Sequence, residues 1–160
     1  MTNSGTLFGD TLGVYAANLT NQGRIQSNGA ATLSGTDIVN QGSGAVILTG
    51  MDGSASTITG TGSIRNEGAI HTAGGLTVTA PRLDNTNTGG ISSEANLTTN
   101  AGGAGFDNAG ALYASGTLTV SAAGQTFNNT MTGTMDANDI NVAAGTFNNY
   151  LIFPSYARNR

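Results

Sequence analysis

From Phe106 to Asn129 the chain completes one cycle of a pattern and begins it again. An apolar residue, a variable residue and Asn open the cycle, as Phe106-Asp107-Asn108. A Gly turn leads to a second apolar position at Leu112, and another leads to the alternation Leu118-Thr119-Val120 before Phe127-Asn128-Asn129 restarts the series. Alternation with a period of two places successive side chains on opposite faces of a strand. Each cycle therefore predicts three short strands separated by small-residue turns.

Leu19-Thr20-Asn21, Ile38-Val39-Asn40, Ile64-Arg65-Asn66, Leu83-Asp84-Asn85, Phe106-Asp107-Asn108, Phe127-Asn128-Asn129 and Phe147-Asn148-Asn149 mark the openings. Successive Asn spacings are 19, 26, 19, 23, 21 and 20. A period near 20 with length changes absorbed in Gly-rich turns is the mark of stacked coils, because every coil must return to the same point of the cross-section. The second element carries Ile25, Val46 to Leu48, Ile70, Ile91, Leu112 and Met135. The third carries Leu33, Ile58, Leu76 with Val78, Leu97, Leu118 with Val120, and Ile140 with Val142. Stacked inward, these residues predict an all-β solenoid of parallel, in-register strands, a rod of six to seven coils, with six intervals of about 4.8 Å making roughly 29 Å.

The pattern divides the chain into an incomplete N-terminal coil over 1–18, β-helix repeats over 19–149, and a C-terminal cap or truncated coil over 150–160, where Tyr150 to Tyr156 is the most apolar and aromatic run. A solenoid end left open templates other chains, so exposure of that run predicts end-to-end self-association. The longest cycle contains 42–57, where Gly50-Met51-Asp52-Gly53-Ser54 predicts a protruding turn.

Composition fits a thin core stretched along an axis: 38% of residues are hydrophobic and 6% aromatic. Charged residues, at 9%, are too few for a disordered chain, which is usually highly charged and lacks apolar periodicity. The five basic residues are all Arg and the net charge is −4, which gives no basic stripe for nucleic acid. No apolar run approaches the roughly 18 residues of a membrane span, so membrane insertion is not expected. Met1 to Gly5 lacks signal-peptide character, so the chain is either cytoplasmic or a piece of a longer exported protein. Without cysteine there are no disulfides and no thiolate metal sites.

The column Asn21, Asn40, Asn66, Asn85, Asn108, Asn129 and Asn149 lies at strand ends, where side-chain amides can satisfy turn backbone and one another as a structural ladder. Outward positions of the third strand pair Ser34 with Thr36, Thr59 with Thr61, Thr77 with Thr79, Thr98 with Asn100, and Thr119 with Ser121. This row is similar to the Thr-x-Thr faces of ice-binding solenoids, although Thr is also the ordinary polar filler of strand surfaces. Met51, Asp52, Thr77, Thr79, Thr98 and Thr119 form the candidate interaction surface. Arg65 can pair with Asp84, and Asp84 beside Asp107 could hold a hard cation; two carboxylates are few for such a site, and solvated surface is the expectation. His71, the only histidine, faces outward with no Cys or second His to complete a metal set or nucleophilic pair. The carboxylates are scattered along the rod and there is no Lys. No catalytic, metal or cofactor-binding residue is expected, nor a cofactor.

The runs Gly68 to Ala80 with Leu83-Asp84-Asn85, repeated as Gly110 to Ala122 with Phe127-Asn128-Asn129, resemble filamentous haemagglutinin repeats, found in two-partner-secreted adhesins and contact-dependent inhibition exoproteins. The resemblance covers about 19–149 and implies a right-handed parallel β-helix, exported unfolded through an outer-membrane transporter to become secreted or displayed on the surface of a Gram-negative bacterium. It implies a non-catalytic stalk or adhesive segment, whose partners would be a host-cell or bacterial surface receptor or glycan. A phage tail-spike or polysaccharide-acting β-helix, and an ice-binding solenoid, are the alternative functions.

Overall fold

The computed structural model describes residues 1–150, and among them every regular element is a β-strand. Fourteen strands follow one another: β1 (Thr2–Asn3), β2 (Thr6–Gly9), β3 (Leu12–Tyr15), β4 (Asn18–Asn21), β5 (Arg24–Ser27), β6 (Ala31–Asn40), β7 (Val46–Thr49), β8 (Ser56–Asn66), β9 (Ala69–Thr72), β10 (Leu76–Asn85), β11 (Gly90–Ser93), β12 (Leu97–Asn108), β13 (Ala111–Asn129) and β14 (Thr134–Asn149). All pairings are parallel and join residues about one coil apart. The chain is a β-solenoid.

Three ladders run along the rod. The first stacks the triplet strands, as Leu83↔Phe106 and Phe106↔Phe127↔Phe147. The second stacks Leu7, Ile25, Ile47, Ile70, Ile91, Leu112 and Met135. The third stacks Val14, Leu33, Ile58, Val78, Thr99, Val120 and Val142 beside a row containing Leu76, Leu97, Leu118 and Ile140. Most of these apolar side chains are fully buried, forming one continuous core. Phe106, Phe127 and Phe147 stack with ring centroids 5.1 Å apart. From β6 onward the third strand commonly continues round a corner into the next triplet strand, with a register shift at the bend.

Three details differ from the sequence reading. Leu33 and Ile58 stand in register with Val78, not Leu76, whose partner in β8 is the buried Ser56. Of the run Val46 to Leu48, Ile47 alone is buried. The first coil also joins the asparagine column, since Thr2 and Asn3 pair with Thr20 and Asn21. Eight asparagines thus span seven intervals, averaging (149−3)/7, or about 21 residues. Met1-Thr2-Asn3 is itself an apolar-x-Asn triplet, so the signal was present in the sequence.

The long second coil gains its length in more than one place. Five residues (41–45) separate β6 from β7 and six (50–55) separate β7 from β8, against two (22–23) and three (28–30) in the coil before. β8 is also one residue longer than the equivalent span of β6. Together these changes, 3+3+1, account for the increase from 19 to 26. The ladders on either side keep their register because the added residues sit in turns and at the corner.

Candidate functional site

The surface that a partner would meet is made of turns and outward strand positions, all held by the asparagine column beneath them. Each Asn side chain donates from Nδ2 to Oδ1 of the next: Asn3 to Asn21 and Asn21 to Asn40 at 2.8 Å, Asn40 to Asn66 and Asn66 to Asn85 at 2.9 Å, Asn85 to Asn108 at 2.8 Å, Asn108 to Asn129 at 2.7 Å, and Asn129 to Asn149 at 2.9 Å. The second N–H of the interior members reaches a carbonyl where the next coil leaves its turn, as Asn66 does to Gly90 O and Asn85 to Ala111 O. Five of these amides, Asn21, Asn40, Asn66, Asn85 and Asn108, are at most 1% exposed. Burial without partners would cost several kcal/mol each; here donors and acceptors are matched along the column.

Hydroxyls fill the equivalent role at the second turn. Ser27 donates to Gly29 O, Ser93 to Gly74 O, and Thr72 accepts from Gly74 N. These buried Ser and Thr residues, with Thr49, occupy inward positions where the sequence reading placed only apolar residues. Their signal was a Ser or Thr two positions after each second-element Ile, one alternation further along the same face.

The turn at 50–55 carries Met51 and Asp52 outward, both exposed, with Met51 at 45%. Positive φ at Gly50 and Gly53 reverses the chain within a few residues. The backbone N–H of Asp52 donates to Asn28 O, while its carboxylate accepts from Ser54 N. Hydrogen bonds from Ser54, first through its side chain and then its backbone, hold the Asp52 carboxyl below its ordinary pKa. The adjoining turn, 41–45, is fastened differently. Glu67 accepts from Gly42 N at 2.9 Å and from Arg65 Nε at 2.8 Å, and these bonds, Arg65's foremost, lower its pKa.

Thr77, Thr98 and Thr119 form one row in register, and Thr79 belongs to the next row with Asn100 and Ser121. All four threonines are half-buried, because each sits between neighbouring strands on the sheet surface. The partners from the earlier coils are Thr57 with Thr59 and Thr32 with Ser34, two residues before the assignment of Ser34 with Thr36 and Thr59 with Thr61. The register thus lines up a hydroxyl row over five coils: Thr32, Thr57, Thr77, Thr98 and Thr119. Met51 and Asp52 lie off this row, in the turn that leads into Ser56 and Thr57.

On the triplet face, Arg65 pairs with Asp84 at 2.5 Å. Arg82 pairs with Asp107, which also accepts from Asn128 Nδ2 at 2.7 Å. Both carboxylates weighed for a cation are thus engaged by guanidinium groups. Among the described residues no group of three or more His, Cys, Asp or Glu is placed to hold a metal ion. His71 has partners that its spacing did not suggest: Nδ1 lies 2.9 Å from Ser92 Oγ one coil on, and Nε2 lies 3.5 Å from Glu94. The three types match a nucleophile, a base and an orienting carboxylate, but Ser92 sits within a parallel ladder whose N–H groups serve neighbouring strands, whereas an oxyanion hole needs such donors free. The trio is a surface polar cluster, with one hydrogen bond, His71 to Ser92, and a longer contact to Glu94.

The family model for the haemagglutinin repeat matches residues 9–68 and 52–150. The chain belongs to the haemagglutinin repeat family. Two overlapping matches running along one rod are what repeats of a single structural unit produce, and a parallel β-solenoid fits a segment of a filamentous haemagglutinin-like adhesin. Membership implies a secreted or cell-surface setting, with repeats generally structural or adhesive. Neither a curated protein nor a solved structure matches the chain.

Proposed function

We propose that this haemagglutinin-repeat chain is a non-catalytic rod segment of a large surface exoprotein of a Gram-negative bacterium, exported through an outer-membrane transporter. Its long second coil serves as the contact surface for a cell-surface receptor or glycan. The observation that carries this reading is the placement of the added length: 41–45 and 50–55 lengthen two turns while the ladders beneath remain in register. A spacer has no need of turns that differ between coils, whereas recognition does. Asp52 and the exposed Met51 give the larger turn a charge and an apolar contact side by side.

Labelled protein applied to epithelial cells and to Gram-negative bacteria, with an unrelated β-solenoid as control, tests the proposal. Saturable binding that unlabelled protein competes away is expected, with at least a tenfold loss when 50–55 is replaced by the three-residue turn of the neighbouring coil. Binding no greater than the control would make the segment a spacer whose role is length.

The hydroxyl row supports a second reading, contact with ice, since five coils present hydroxyls in one register. Thermal hysteresis abolished by Thr77→Leu with Thr98→Leu would favour it; its absence in the unaltered protein would remove it.

A further inference from the structure

Every coil turns one set of side chains outward, and the long second coil differs from its neighbours in what it shows. In the row of Leu48 the other coils place Gln26, His71, Ser92 and Tyr113; in the row of Val46 they place Arg24, Ala69, Gly90 and Ala111. In the row of Val39 they place Thr20, Arg65, Asp84 and Asp107. Alternation asks for an apolar residue at Ile47, which points inward, and not at Val46 or Leu48. Val39, Val46 and Leu48 are nevertheless aliphatic, at outward positions that the other coils give to polar or small side chains, Tyr113 aside. With the exposed Met51 they form an outward apolar strip, interrupted at one corner by the turn 41–45. β5 and β9 flank β7 on its two sides, so the strip lies within the length of the rod.

Along β7 the strip runs from one sign of charge to the other. Arg24 stands beside Val46, its Nε donating to Gln26 Oε1 at 2.7 Å. Past Thr49 the turn carries Asp52, whose N–H donates to Asn28 O at 2.8 Å, and Asn28 Nδ2 donates in turn to Asp10 Oδ1 at 2.9 Å. Among the described residues neither Asp52 nor Asp10 pairs with a cation, whereas Glu67, Asp84 and Asp107 do. We propose that Val46, Leu48 and Met51 dock a segment of a partner protein that combines aliphatic side chains with a Lys or Arg, the basic group lying at Asp52 and Asp10. This rests on the long coil being the contact surface, and it names the chemistry that surface meets. A sugar finds no aromatic ring to stack on anywhere in 38–63. An anionic membrane is repelled by the two carboxylates. A second folded rod meets an apolar strip only one coil, about 5 Å, wide, which supplies little of the roughly 800 Å² per partner that a stable complex buries. A single segment laid along β7 covers it.

The test is fluorescence anisotropy of three labelled octapeptides, alternating leucine with lysine, serine with lysine, and leucine with glutamate, each titrated with the full chain. Saturable one-to-one binding of the leucine–lysine peptide is expected, about tenfold or more tighter than either of the others. Leu48→Ser is expected to weaken it about tenfold, with Val46→Thr as the second probe of the strip should Leu48→Ser lose the far-UV circular dichroism of the unaltered protein. Asp52→Asn is expected to weaken it about threefold and to flatten its dependence on salt. Tyr113→Ser, three coils along the same row, is expected to leave it unchanged. Equal binding of the serine–lysine peptide would reduce the contact to charge, and equal binding of the leucine–glutamate peptide would remove the part played by the carboxylates; either result overturns the proposal. So does the absence of saturable binding, or binding indifferent to both Leu48→Ser and Val46→Thr. Dimers in sedimentation velocity that Leu48→Ser abolishes would assign the strip to a second copy and overturn it as well. None of these outcomes touches the long coil as a contact surface, which stands or falls with the replacement of 50–55 in the cell-binding assay.

Discussion

At the scale of single residues, stability rests on groups that are buried yet polar. Asn85 accepts from Asn66, donates to Asn108 and also reaches Ala111 O. Removing it orphans the Asn66 N–H and the Asn108 oxygen, and each orphaned buried group costs about 1–3 kcal/mol. Asn85→Ala is expected to lower the unfolding free energy by the sum of two such losses, read in a urea melt as a lower midpoint with little change in slope; a loss no larger than that of a surface Asn→Ala change would show that water takes over both bonds. Glu67 supplies a pH dependence. Its carboxyl is held below the ordinary 4.5 by Arg65 and then by Gly42 N, so the stability it contributes is present in full above the unfolded value and is lost as pH falls through the folded one. The melting temperatures of the unaltered chain and Glu67→Gln are therefore expected to differ at neutral pH and to converge as pH falls through the lowered folded-state value.

At the scale of the element, a coil is defined by what its neighbours allow. Leu118 is fully buried between Leu97 and Ile140. An Asp there places an unpaired charge in the core, so Leu118→Asp is expected to unfold the rod at room temperature; an unchanged β-sheet signal and melting curve would contradict the strand register. Gly110 is tight for another reason: a Cβ on it would lie 2.0 Å from Gly89 O and 2.3 Å from Thr86 O, both backbone atoms of the coil before. Gly110→Ala is accordingly expected to cost about 1–3 kcal/mol or more in a denaturant melt, through a coil that can no longer sit down on its neighbour.

The same scale shows why some features were legible in the chain and others were not. Period, strand count and the Asn column could be read directly, because stacking repeats them and a repeated signal outlasts local noise. Register of the third strand could not be read in the early coils. Thr57-Ile58-Thr59 and Thr77-Val78-Thr79 each present one apolar residue between two hydroxyls, and Leu76 offered a second equally good match for Ile58. A shift by two residues preserves alternation, so pattern alone does not penalise it. The candidate surface was visible only as composition: Thr77, Thr98 and Thr119 fell into one row, whereas the partners of His71 lie 21 and 23 residues away, at distances that only the stacked fold turns into contacts.

At the scale of the whole molecule, the rod behaves as a line of units in which each coil touches only the coils before and after it. Among the described residues the first and last coils therefore have one neighbour to hold them and interior coils two. Amide hydrogen exchange is expected to be fastest in β1–β3 and β14 and slowest in β8–β12, with protection falling from the middle toward both ends. Uniform protection along the chain would mean that the rod opens as a single cooperative body.

The asparagine column also bears on how such a chain changes over generations. All eight members stand at one point of the cross-section, so a cut at any two of them leaves ends that already match. A gene that loses or duplicates the stretch between two such codons encodes a rod one step shorter or longer, with every remaining side chain still facing the way it did. Length in this architecture is therefore inherited almost independently of fold, and recombination between like repeats can reset the reach of the rod in a single event.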